Sequence, residues 1–390
     1  MEIILKVMKT IFLSIIMTIF LFGCQSKDNT FEDIILPDTG TETLDFKHPG
    51  LLVNDDDINY LKQKLEISPW KEGFKHLKEA DEKIGHINGP YEEIIRGSNE
   101  DSSTGLALSG DAKNAYHLAL LWYITKDKKY AEWSIHIINE WTKALKKVSG
   151  EGALLACAWY GFALINAAEI LRYTDSGWKD EDIKVAEKFF IDILYSKTQN
   201  WKNGLSGNWD TAITKFNMAV GVFCNNRNIF QKAVDVFKSK DANGGTVLRY
   251  IYDTGQCQES ARDQNHAQMG ICGLVESCEV AWKQGVDLYG YAENRLLLGV
   301  EYTAKYNLGY DDLPEFIPNK HGKVISSKYR GEFEPYYELV LNHYFNRINV
   351  PIEKIQYTKQ VVDKIRKEFG CEQSSTICTG LGTLLFNQTK

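Results

Sequence analysis

Three polar segments interrupt the otherwise apolar patterning of this chain, and each carries residue types that do chemistry. The richest is Glu259-Ser260-Ala261-Arg262-Asp263-Gln264-Asn265-His266-Ala267-Gln268-Met269-Gly270. Read as a helix, it stacks Glu259, Arg262, Asp263, His266 and Gly270 along one face, with Gly273 further down the same line. Ionisable side chains on one stripe are costly against an apolar neighbour, so such a face is expected to border a wet cleft. An imidazole there can move protons near neutral pH. The competing reading is an ion-pair network satisfied between helices. The second segment, Ser206-Gly207-Asn208-Trp209-Asp210, opens a helix, and Asn208 or Ser206 could serve simply as its N-cap. In the third, a loop with Arg330, Glu332 and Glu334 enters a helix bearing Tyr336, Tyr337, Asn342 and His343. Tyrosines at a helix start are as readily packing residues as catalytic phenols.

The elements that must position these groups are helical almost throughout. Apolar residues repeat at three and four over 70–84, 112–125, 130–145, 154–173, 181–194, 209–223, 229–237, 261–284, 295–306 and 336–347. Strand-like alternation is nearly absent. A helix rich in Trp, Tyr and small residues tends to be followed, after a short turn such as Thr125-Lys126-Asp127-Lys128-Lys129, by a more charged one. Helix pairs without a fixed repeat predict an all-α toroid of antiparallel hairpins, with enclosed inner helices and charged outer ones.

The chain's beginning predicts export. Lys6 and Lys9 precede an apolar run and then Leu21-Phe22-Gly23-Cys24, the pattern of a lipoprotein signal that leaves Cys24 as an acylated first residue. Residues 1–23 are read as the signal, 24–45 as a flexible tether, and 46–390 as a single toroid domain. The expected location is the outer membrane, at its periplasmic face or the cell surface. A formal net charge of −7 without a basic block argues against nucleic acid as a partner. Any anionic ligand must then be met by individually placed cations. Of eight cysteines, seven remain beyond Cys24, too odd a number to pair completely. Cys371 and Cys378 bracket a short polar loop and could form a local disulfide, whereas Cys157, Cys224, Cys272 and Cys278 read as buried small hydrophobes. No metal-ligand spacing is present, so neither metal nor cofactor is expected.

Several motifs together resemble the alginate-lyase superfamily of polysaccharide lyases. They are Gly207-Asn208-Trp209, the Glu259-Ser260 pair with Asp263 and His266, Ala281-Trp282 with Gln284-Gly285-Val286-Asp287-Leu288-Tyr289, Asn294-Arg295-Leu296-Leu297, Glu301 to Gly309, and Tyr337-Glu338 with Asn342-His343-Tyr344. Upstream, His48-Pro49-Gly50-Leu51, Asn114 to Tyr123 and Trp159-Tyr160-Gly161 extend the likeness over essentially the whole chain past the tether. The resemblance implies an incomplete α/α toroid that cleaves an anionic uronate polymer, alginate or a glucuronan, by β-elimination.

That reaction removes the C5 proton beside a carboxylate, so it needs the carboxylate neutralised, a base at C5 and an acid at the departing O4. The resemblance implies an Asn, His, Tyr and Arg set. Carried over residue by residue, Asn208 polarises the carboxylate, His266 acts as base or second neutraliser, Tyr337 protonates O4, and Arg330 pairs the carboxylate and keeps Tyr337 acidic. Arg262 competes with Arg330, and Tyr336 with Tyr337. In the best-known alginate lyases a histidine follows the asparagine; Trp209 stands there instead. Expected contacts to sugar are Trp209, Tyr116, His117, Trp159 and Tyr302, with Glu259, Arg262, Asn342 and His343 around them. Two rival readings are a glycoside hydrolase on a similar toroid, which would need two carboxyl groups across the scissile bond, and a non-catalytic glycan-binding lipoprotein.

Overall fold

The helices form where the sequence supplies both an apolar surface and a way to start. In the computed structural model, which describes residues 45–98, 100–201, 207–240, 246–375 and 377–388, α1 (Asp55–Lys62) opens on a reciprocal capping box between Asn54 and Asp57. Next comes α2 (Trp70–Lys78). The signal, Cys24, the tether up to residue 44, and Ser206 lie outside the described residues.

Four helical hairpins follow, and burial separates their members. The inner helices are α3 (Ser103–Thr125), α5 (Ala153–Arg172), α7 (Gly207–Phe223) and α9 (Gln264–Lys283). Nearly every side chain of α7 is buried, from Asn208 to Phe223. The outer members are α4 (Lys128–Ala144), α6 (residues 180–198), α8 (Arg227–Lys238) and α10 (Tyr291–Asn307). On α8 only the stripe Ile229, Phe230, Ala233, Val234 and Phe237 is buried, at the three-and-four spacing of a one-sided helix. Each inner helix packs on the next, α3 on α5, α5 on α7, α7 on α9, and each carries its partner outside. This is the toroid arc the patterning predicts. It is closed off by α11 (residues 337–347) and α12 (Gln356–Phe369), the latter a helix that the apolar periodicity did not single out. Two three-residue strands, β1 (Glu93–Ile95) and β2 (Lys147–Ser149), pair in parallel beside the inner helices. Phe46–Lys390 forms one unit.

Two close approaches fix how α9 meets its neighbours. A Cβ on Gly270 would lie 2.0 Å from the Tyr250 hydroxyl, and one on Gly273 would lie 2.6 Å from Thr211 Oγ1 on α7. The glycines on the polar stripe therefore serve packing. The stripe itself is not a single helical face: α9 begins at Gln264, Asp263 is its N-cap, and Glu259–Arg262 form the preceding turn.

The C-terminal segment folds back over α7 and α9. Buried Lys215 on α7 pairs with Glu276 on α9 and donates to the Ile377 carbonyl at 2.7 Å, while Glu276 Oε1 accepts from Thr379 N at 2.8 Å. This strap sets Cys378 against α9, where it is bonded to Cys272 rather than to Cys371. The expected local Cys371–Cys378 pair is thus corrected, and Cys371 is a buried free thiol.

Replacing Gly270 with Ala should destabilise the fold by about 1–3 kcal/mol or more, because Tyr250 has no room to yield. Urea unfolding would read this directly, and an unshifted midpoint would mean the two elements separate without cost.

Candidate active site

The start of α7 and the turn before α9 meet at one buried carboxylate. Glu259 has 0% exposure, and its oxygens collect donors from both sides. Asn208 gives its backbone N–H at 3.0 Å and its side-chain amide at 2.7 and 2.9 Å. Arg262 Nη1 donates at 3.0 Å, and the Tyr250 hydroxyl lies 3.4 Å away. A carboxylate taken this far from water is tolerable only with such partners.

One residue beyond Arg262, Asp263 performs two tasks. Its Oδ1 accepts the His266 backbone N–H at 2.7 Å, capping α9, and its carboxylate faces His266 Nδ1 at 2.8 Å. Because a carboxylate only accepts, Nδ1 carries the hydrogen, and Nε2 is the nitrogen that can exchange a proton with a ligand. The His266 side chain is 29% exposed and that of Arg262 35%, so both reach solvent while Asn208 and Glu259 do not.

A long loop lies across this turn. Gln256 holds Ile317 through both backbone groups at 2.7 and 2.8 Å, Asn319 donates to the Gln258 carbonyl at 2.9 Å, and Ser326 N donates to the Ser260 carbonyl at 2.9 Å. Gln264 adds two more bonds to the loop, its side-chain amide donating to the Ser326 carbonyl at 2.8 Å and its backbone N–H to the Lys328 carbonyl at 3.0 Å. The loop thereby brings Lys320 and His321 to the cluster. Burial holds the His321 imidazole below its ordinary value; Glu259 pulls it back up, while Lys320, Arg262 and His266 push it down. Asp210, in the first turn of α7, has both carboxylate oxygens buried and without a hydrogen-bond partner among the described residues. Burial pushes its carboxyl up to about 7, with Lys320 drawing it down.

A cavity of about 250 Å³ opens beside Trp209, the residue after Asn208, and is lined also by Arg96, Glu151 and Tyr160. Arg96 follows β1 and is fixed there by its backbone N–H to the Ser149 carbonyl at 3.1 Å. Its guanidinium donates to the Tyr160 hydroxyl at 3.2 Å and lies 4.9 Å over the Trp159 ring. Tyr160 sits in a π-helical turn of α5, a distortion frequent at functional sites.

The family profile described as alginate lyase matches residues 62–312. The chain belongs to the alginate lyase family of polysaccharide lyases. No curated protein matches it significantly in sequence. Among solved structures, alginate lyase A1-III from Sphingomonas species A1 is similar at 14% identity and a TM-score of 0.60, covering 85% of this chain and 95% of that one. A form of A1-III complexed with a tetrasaccharide aligns over 86% and 94% at the same identity and score. An alginate lyase from Bacteroides ovatus is similar at 13% identity, TM-score 0.53, covering 69% of this chain and 88% of that one.

Within this alginate lyase fold, several expected site residues stand elsewhere. Tyr337 is 0% exposed, with its hydroxyl donating to Gln268 Oε1 at 2.9 Å and accepting from Tyr336 at 3.0 Å. Burial pushes both phenols well above the usual range, the opposite of what a proton donor to O4 needs. Arg330 is held at the end of α10, donating to the Tyr306 and Tyr310 carbonyls at 2.8 and 3.1 Å, pairing with Asp311 and lying 4.0 Å over the Tyr306 ring. It braces the loop, and Arg262 is the guanidinium beside Asn208. The Asn208 amide is committed to Glu259, so it positions that carboxylate. Asn342 and His343 are buried in the α11 core, His343 stacked 3.7 Å from Tyr289. Tyr116 is 1% exposed, and His117, whose Nε2 lies 3.2 Å from Ser374 Oγ, is sealed beside it. Trp159 and Tyr302 are nearly buried, and Trp209 alone of the expected aromatic contacts is half-exposed. Sequence reasoning assigned no role to His321, Asp210, Arg96 or Tyr160, although Asp210 and Tyr160 lay inside quoted motifs.

Asp210 binds its proton more tightly when folded, since its ordinary value of 3.8 rises to about 7. Its contribution to stability is therefore full below pH 4 and lost as pH rises through 7. Asp210→Asn should gain stability over the wild type at pH 8, with the gain vanishing near pH 4 in chemical denaturation. An equal gain at both pH values would remove desolvation as the cause.

Proposed function

We propose that this protein cleaves alginate or a closely related polyuronate by β-elimination, with Arg262 and the Asp263–His266 pair at the reacting sugar. The observation that carries this reading is that one guanidinium and one carboxylate-oriented imidazole reach solvent within a single turn, next to a cavity lined by Trp209, Arg96 and Tyr160. A uronate needs its carboxylate charge met before C5 becomes acidic, and Arg262 with Lys320 supplies cations in a partly sheltered place. His266 Nε2 carries one of the two proton transfers. Asn208 and Glu259 hold Arg262 in position. Trp209 offers a flat face to a sugar ring, and Arg96 a further cation for a neighbouring uronate.

A hydrolytic reading fares worse on the same geometry. It needs two carboxyl groups flanking the scissile bond, yet Glu259 is sealed and Asp263 is occupied by His266 and the helix cap.

Incubation with alginate, following the ultraviolet absorbance of the unsaturated product, tests the reading. His266→Ala should lower kcat by about 10²–10⁴-fold, and Arg262→Ala should lower kcat by roughly 10²–10³-fold. Tyr337→Phe should leave kcat within about threefold while costing about 1 kcal/mol of stability from its lost hydrogen bonds. Reducing ends without unsaturated product would mean hydrolysis, and polymer retention with neither would mean a binding protein.

We also infer that the protein is an exported lipoprotein anchored through Cys24, on the strength of the Leu21-Phe22-Gly23-Cys24 motif behind an apolar run. Incorporation of labelled palmitate should disappear in Cys24→Ser. Retained label in that variant would exclude this anchor.

A further inference from the structure

The chemistry of elimination leaves a place that the sealed Tyr337 cannot take. Two proton transfers are required, one from C5 and one to O4; a lone imidazole would have to carry the same proton from one to the other, whereas a separate base and acid supply both without that relay. His321 faces the same cluster from the other side. The loop carrying it is sewn onto the 256–264 segment by the hydrogen bonds of Gln256, Asn319, Ser326 and Gln264, and His321 N itself donates to Asn319 Oδ1 at 2.9 Å. A Cβ on the following Gly322 would lie 3.2 Å from the Ala261 methyl, so this loop tip rests on the residue before Arg262. His321 Nε2 is buried yet has no hydrogen-bond partner among the described residues. An imidazole nitrogen desolvated without a partner costs stability, and such exceptions call for an explanation.

We propose that His321 is a catalytic residue of this alginate lyase, the base that removes the C5 proton, while His266 protonates the departing O4. The inference rests on the lyase reading and deepens it. The groups facing His321 are Glu259, Arg262 and His266 from the turn and helix beneath it, and Lys320 from its own loop. Three of these are cations or become so, which favours the neutral, proton-accepting imidazole. His266 has a different setting: the Asp263 carboxylate accepts from Nδ1, which fixes the ring and turns Nε2 outward toward a ligand oxygen. The step balances: the C5–H pair becomes the C4=C5 bond, the C4–O4 bond breaks, His321 Nε2 takes the C5 proton, and His266 Nε2 releases one to O4. Solvent exchange returns His321 to neutral and His266 to its protonated form. The chain thereby replaces the histidine missing after Asn208 with one delivered by a loop more than a hundred residues later.

The test uses the full mature protein with His321→Ala and His321→Gln, assayed on mannuronan, guluronan and glucuronan. Expected are a kcat lower by about 10²–10⁴-fold, a KM within about threefold, and loss of the limb of the wild-type pH–rate profile on which activity rises with pH. Added imidazole should restore part of the rate to His321→Ala and leave the wild type unchanged; the Gln variant, which fills the space, should unfold at the wild-type midpoint and remain inactive. A kcat retained in either variant, or a raised KM at unchanged kcat, overturns the role of His321 while leaving the lyase reading intact. A wild type that forms no unsaturated product from any of the three polymers overturns that reading and this role together.

Discussion

The buried carboxylate of Glu259 is the joint on which the candidate site depends. Burying it without compensation would cost several kcal/mol, so its surroundings must supply donors, and each donor comes from an element with a different place in the chain. Asn208 brings the start of α7, Arg262 the turn before α9, and Tyr250 the segment after α8. Tyr250 also lies 3.0 and 3.1 Å from the Ala267 and His266 carbonyls, which ties the same joint to the first turn of α9. Satisfying one charge thus orients the guanidinium and the imidazole that do reach solvent. Removing any one partner would leave the others desolvated and unmatched, a reason for this small network to behave as a unit.

The toroid explains why the joint can exist at all. Inner helices enclosed on most sides are largely apolar, and a polar group in their middles must be paired, so the groups that can reach solvent stand at their ends and in the turns between them. α7 and α9 both start at the cluster, while their middles are packed by Gly273 against Thr211 and by the Lys215–Glu276 pair. The strap that crosses them, fixed by Thr379 and the Cys272–Cys378 bond, holds the two helices together at a distance from the chemistry. Rigidity behind the site and polar turns in front of it come from the same arrangement.

How much of this is legible in the sequence follows from what each feature looks like locally. The hairpin pattern is legible because enclosure leaves a mark along whole helices: α7 carries apolar residues on every side, α8 on one stripe. Arg262, Asp263 and His266 stand out because ionisable residues at helical spacing break that mark. Tyr337 misleads because a phenol facing a core and one facing a cleft present the same residue at the same helix start; its partner Gln268, on α9, carries no sequence signal of the contact. Arg330 misleads in the same way, since an arginine bracing two carbonyls is indistinguishable in sequence from one awaiting a ligand. His321 was invisible for a different reason. It is placed by backbone bonds between an irregular loop and a turn, and such pairing has no periodicity. The Cys272–Cys378 bond, separated by 106 residues, is hidden by the same distance in sequence.

A protein of net charge −7 that acts on a polyanion has to concentrate its positive potential where the polymer lies. Side chains do part of this: Arg262 and Lys320 stand at the cluster and Arg96 at the adjoining cavity. The backbone does more. Both α7 and α9 present their N-termini to the same place, and a helix N-terminus carries a partial positive charge that favours anions within its first turn. In α9 that end is already taken by the Asp263 carboxylate, which in turn steers His266; in α7 it is shared by Glu259 through the Asn208 N–H and by the buried Asp210. Both helix ends are thus occupied by the protein's own carboxylates, and the Arg262 guanidinium, paired with Glu259, is the cation that also reaches solvent. Three acids held at the helix termini fix the geometry, and the guanidinium of Arg262 is the cation that reaches solvent beside them. That division lets a chain with surplus negative charge place individual cations at one cluster without an extended basic surface that would attract polyanions of every kind.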